Sequence, residues 1–164
     1  MKITRIFLAA SCVLAMSCNR HHDSAEPYEP LPIIMEYEPV STILKWGEMT
    51  PEERHRYPSE GFMINSSEGF PDDEHFFLED LKASNIDFTT QTLLVSFRIL
   101  PGYVYGHKLY WMLDNTESAF EFLTHVQLTE LPEDDRIEDF TYYRSAITVS
   151  KIPDDTEVSF AWSY

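Results

Sequence analysis

The chain has 164 residues, 43% hydrophobic and 14% aromatic, enough apolar material for one folded domain and too little length for two large ones. With 28 acidic against 12 basic residues its formal charge is -16, which argues against a nucleic-acid partner, because neutralising phosphates takes clustered Lys and Arg. Both cysteines, Cys12 and Cys18, lie near the N-terminus, so the body of the chain has no disulfide, no thiolate chemistry and no Cys-ligated zinc.

Residues 1–17 read as a signal peptide: Lys2 and Arg5 form a basic start, and the apolar run from Ile6 to Met16 is too short to span a bilayer. Ser17 directly before Cys18, with Leu14 and Ala15 upstream, resembles a bacterial lipobox. The expectation is therefore a lipidated Cys18 and a membrane partner reached through an N-terminal lipid. The alternative is ordinary secretory cleavage near the same point. Losing Lys2 and Arg5 and no acid takes the formal charge from -16 to -18, which suits cationic or neutral partners better than anionic ones. Several acyl chains would hold such a domain firmly, where one would hold it marginally.

Residues 18–39 carry Pro27, Pro30, Pro32 and Pro39 among acids and read as an extended tether, with Ile33, Ile34 and Met35 able to pack as a first edge segment. The domain is expected over 40–164. Val40 to Trp46 suits a first strand, and Thr50-Pro51-Glu52-Glu53 has the N-cap, N1 proline and reciprocal Glu of a helix start, stopped by Tyr57-Pro58. Gly61 to Asn65 reads as a strand, Asp72 to Ala83 as a helix with Phe76, Phe77, Leu78 and Leu81 on one side, and Thr92 to Leu100 as a central strand.

Pro101-Gly102 breaks that run, and Tyr103 to Leu113 resumes it before the turn at Asp114-Asn115. Phe120, Phe122, Thr124, Val126 and Leu128 then alternate with polar residues, as one strand with a solvated face. Tyr142 to Ile152 and Val158 to Tyr164 complete the set. The fold class this predicts is β-rich α+β: an antiparallel sheet, small barrel or sandwich of about six or seven strands with one or two short helices.

Pro71-Asp72-Asp73, Pro132 to Asp135 and Pro153-Asp154-Asp155 read as turns and lack the spacing of a calcium loop. The histidines show no HExxH spacing, and no metal or cofactor is expected. GxSxG, SxxK and Gly-rich phosphate loops are absent from the sequence, and the expectation is a protein that is not an enzyme. Tyr103, Tyr105, Tyr110, Trp111, Tyr142 and Tyr143 read either as core and cross-strand pairs or as a binding face. Under the second reading Pro101, Gly102, Tyr103, Tyr105 and Trp111 hold a protein partner, or the same aromatics stack on a glycan.

Three blocks, Phe62 to Glu68, Asn85 to Phe88 with Thr92 to Ser96, and Ala146 to Ile152, resemble small lipoproteins of Bacteroides and its relatives. Over about residues 60–164 the chain is also distantly similar to the protease-complex-associated domain. The resemblance implies a β-rich lipoprotein of the cell envelope, at the outer membrane of a Gram-negative bacterium, associated with a protease that it inhibits or regulates. It carries no catalytic residue over.

Overall fold

The computed structural model describes residues 27–57, 59–71, 76–129 and 139–164. The expected signal peptide, Cys18, the start of the tether, and the acidic segments at 72–73 and 132–135 lie outside the described residues. The strands are β1 (Tyr28–Pro30), β2 (Ile33–Glu36), β3 (Val40–Lys45), β4 (Gly61–Ile64), β5 (Gln91–Pro101), β6 (Val104–Asp114), β7 (Ala119–Leu128), β8 (Asp139–Ser150) and β9 (Val158–Ser163). The helices among the described residues are short, α1 (Pro51–Arg54) and α2 (Glu79–Lys82). No helix among them is long and apolar enough to cross a membrane.

Two sheets form an open sandwich of the expected β-rich class. One has the order β1-β6-β7-β9 and the other β2-β8-β5-β4, with β3 also pairing with β8. Pairing is antiparallel except between β7 and β9, which run parallel. Here β8 itself is the crossover: it lies in the other sheet, and the chain returns from it to add β9 beside β7, as parallel neighbours require.

The helical segments cover the outer face of the second sheet and make a third layer. Leu93, Val95 and Phe97 of β5 pack with Phe77, Leu78 and Leu81 on that side, while Leu94 packs with Trp111, Phe122, Ile147 and Val149 between the sheets. Burial of both faces is the reason for the near-continuous apolar run from Thr92 to Leu100. The expected helix over Asp72 to Ala83 is, among the described residues, a 3-10 turn at Phe76–Leu78 leading into α2. At α1 the reciprocal Thr50 and Glu53 bonds form as the sequence predicts.

The segment expected as tether contributes β1 and β2. Extended proline-rich chain suits a sheet edge, where a missing N–H costs nothing. Pro30 and Pro32 flank Leu31, whose N–H donates to the Trp111 carbonyl at 2.7 Å. After Pro32 the chain switches sheets, and Ile33 and Met35 pair with Val149 and Thr148.

Arg144 heads the fully buried side chains among the described residues, at 0% exposure on the outer face of β8. Its guanidinium donates to the carbonyls of Phe77 and Glu38 and grips both oxygens of Asp80, with Nη2 to Oδ2 at 2.7 Å. One cation thus fastens the helical layer to the sheet, as burial of a charge demands. Hydrogen bonding and charge from Arg144 hold the Asp80 carboxyl below the usual carboxylate range. A depressed folded-state pKa stabilises the fold above the unfolded value of about 3.9 and ceases to do so as pH falls through the folded value. Stability of the protein should therefore drop as pH falls below about 4, and Asp80→Asn should flatten that drop in urea titrations across pH. A slope unchanged by the substitution would contradict the link.

On the inner face of the same sheet, a Cβ on Gly61 would run into the Phe160 ring, closer than side chains approach one another. Trp162 Nε1 donates to Ser96 Oγ at 2.8 Å beside it, so β9 is held against β4 and β5. Gly61→Ala should cost about 1–3 kcal/mol by overpacking, read as a lower urea midpoint.

Candidate functional site

The link between β5 and β6 is short and tightly held. Pro101 ends β5 on the surface, and Gly102 follows with φ 99, a left-handed backbone that glycine adopts without a Cβ penalty. Gly102 is buried, and its carbonyl accepts the Thr141 hydroxyl of β8. The Tyr103 carbonyl accepts the Thr129 N–H at 3.0 Å and its hydroxyl at 3.3 Å. Both ends of the turn are thus pinned, and Tyr103 stands 47% exposed on a fixed backbone.

Just beyond it the ladder slips. Val104 pairs with Leu128 and Gly106 with Gln127, so Tyr105 is the extra residue of a bulge. Its side chain is 68% exposed. Gly106 follows the bulge with the Gln127 side chain lying over it, where a Cβ would displace Gln127 Oε1. Further along β6, Lys108 and Tyr110 are exposed, while Leu109 and Trp111 turn inward.

Trp111 corrects the expected site. It is 5% exposed and stacks on Phe120 with ring centroids 5.3 Å apart and planes at 13°. Only an edge reaches a small apolar crevice shared with Leu31, Pro32, Phe120, Ile152 and Pro153. It belongs to the core between the sheets and is unavailable as a platform for a sugar or a partner. Tyr142 and Tyr143 are likewise core. Tyr142 stacks on Phe97 at 5.6 Å and meets Tyr57 and Phe77 edge-on. Burial, reinforced by Glu36 and Glu38, pushes the Tyr143 hydroxyl up to about 12. That hydroxyl has no hydrogen-bond partner among the described residues. Of the expected partner-binding set, Pro101, Tyr103 and Tyr105 lie together on the surface, Gly102 shapes the turn below them, and Trp111 leaves the set.

The histidines on strands have partners the sequence did not signal. His107 Nε2 lies 2.8 Å from Glu36 Oε1, joining β6 to β2 across the sandwich edge, and His125 Nδ1 lies 2.9 Å from Ser163 Oγ. In the Pro153 turn, Asp154 accepts from Asn65 Nδ2 at 2.6 Å. Sequence reasoning missed an acidic hollow formed by Tyr28, Asp114, Glu117, Glu121 and Glu157. Burial and the nearby Asp114 push the Glu121 carboxyl up. Asp114 itself is engaged by the N–H and hydroxyl of Thr116.

What this arrangement offers chemically is contact area on a fixed frame. Tyr103 and Tyr105 combine an apolar ring with a hydroxyl, lose little side-chain entropy on contact, and sit on a backbone that needs no reordering. No family model, no curated protein and no solved structure matches the chain.

Proposed function

We propose that the chain is an exported, non-enzymatic protein, anchored through lipid on Cys18 at the outer membrane of a Gram-negative cell, whose β-sandwich binds a protein partner. A secreted or envelope protease, inhibited or regulated by the contact, is the partner class that the sequence resemblance favours. The observation that carries the reading is the pair Tyr103 and Tyr105, 47% and 68% exposed at a turn whose backbone is pinned to Thr129, just past β7, and to Thr141 of β8. Large aromatic side chains held out from a rigid frame are the residues that dominate protein interfaces. The glycan reading has less support, because the tryptophan it needed is in the core.

Immobilised protein should recover one envelope or secreted protein in stoichiometric amount, identified by mass spectrometry. Tyr103→Ala with Tyr105→Ala should lower that recovery at least about tenfold, the loss of one or more interface anchors. Equal recovery by the double variant would remove the face from the account, and recovery of nothing above background would remove the protein partner.

A further inference from the structure

The rim beside the exposed tyrosines has an unfilled strand position. β1 pairs with β6 only from Met112 to Asp114, and the last backbone bond on that side is Leu31 N–H to the Trp111 carbonyl. In an antiparallel pair the residues that bond outward alternate, so Leu109 and His107 turn their N–H and C=O groups to the same edge as Trp111. No strand among the described residues pairs with them there. The far edge of the same sheet differs, since β9 is packed against β4 through Phe160 on Gly61.

The segment that runs beside the open edge carries charge of one sign. From Pro27 to Leu44 the chain holds Glu29, Glu36 and Glu38 and no Lys, Arg or His. Glu36 approaches the edge directly, through His107, with its side chain 47% exposed. Glu38 is exposed as well, and its charge, like that of Glu36, reaches Tyr143, whose ring lies 6.4 Å from that of His107. Lys108 is the exception, exposed on the outer face of the sheet, opposite to the face on which His107 meets Glu36. Tyr103 and Tyr105 stand at the head of the same edge, and tyrosine rings attract cations through their faces. A second copy of this chain would bring the same acids and be repelled.

We propose that the β6 edge from Tyr103 to Leu109 receives an extended, basic segment of the partner as an added strand, its Lys or Arg side chains meeting Glu36, Glu38 and the two tyrosine rings. The inference rests on the partner-binding reading above and names the chemistry of the bound segment. Main-chain bonds to His107 and Leu109 give affinity, and the flanking side chains select charge.

The probe is a peptide of alternating threonine and lysine, about seven residues long to match the edge from Tyr103 to Leu109. Controls are the same length of alternating proline and lysine, which keeps charge but has half its N–H groups missing, and of alternating threonine and glutamate. Amide hydrogen exchange by NMR on the intact protein should slow at least about tenfold at His107 and Leu109 with the threonine–lysine peptide, and with neither control. Glu36→Gln with Glu38→Gln should weaken that peptide roughly three- to fivefold. Binding without protection at those two amides, equal binding of the proline–lysine peptide, or no binding overturns the added strand. If capture of the natural partner still depends on Tyr103 and Tyr105, that failure leaves the partner-binding reading standing; capture indifferent to both tyrosines ends that reading as well.

Discussion

Arg144→Met should destabilise the domain by about 3–4 kcal/mol, a large share of the stability of a domain this size. Methionine fills much of the volume but supplies no donors, so the carbonyls of Phe77 and Glu38 lose a partner where Arg144 is fully buried. Asp80 loses both bonds to the guanidinium, and its 52% exposed side chain lets water recover part of that loss. For that reason the expected cost sits at the lower end of the range for breaking a buried pair. Arg144→Lys should recover little, because a single ammonium cannot serve a carboxylate and two carbonyls from one planar fork. Urea unfolding of the variants against the parent protein checks this. A loss below about 1 kcal/mol would mean that the helical layer is held by apolar packing alone.

Trp111→Ala should cost about 3–5 kcal/mol, because it removes a buried indole and leaves a cavity beside Phe120 and Phe122. Loss of fold is the expected result, with loss of binding only as its consequence. Trp111→Phe keeps a ring for the stack and should cost well under half as much. Thermal melts separate these outcomes. A Trp111→Ala protein with unchanged melting temperature and lost partner binding would return Trp111 to the surface role that its sequence position suggested.

Trp111 was open to either reading in the sequence, and one residue of register decides it. Tyr103, Tyr105, Leu109 and Trp111 share odd numbers, and unbroken alternation would put them on one face. The slip between Val104 and Gly106 inverts the face, so Tyr105 points to solvent while Leu109 and Trp111 point into the core. Gly106 was the available signal, since glycine within a strand pattern marks bulges and close approaches.

Elsewhere the local patterns were sufficient. The capping box at Thr50 and the apolar run of β5 were legible because neighbours in sequence determine them. Arg144 within the apolar β8 could be seen as anomalous, yet its partner Asp80 is 64 residues away and carries no local mark. The same holds for β9: its alternation predicts a strand, while its parallel place beside β7 depends on which sheet β8 joins. The prolines of 27–39 suggested a tether because extended chain has one composition signature whether it lies in solvent or along a sheet edge.

The central claim, that Tyr103 and Tyr105 form a binding face rather than part of the core, is tested most directly by urea unfolding of the Tyr103→Ala, Tyr105→Ala protein used in the capture experiment. Exposure of 47% and 68% predicts a free energy of unfolding within about 1 kcal/mol of the parent, alongside lost capture. A loss of several kcal/mol would show that the two rings hold the fold together, and would contradict the account.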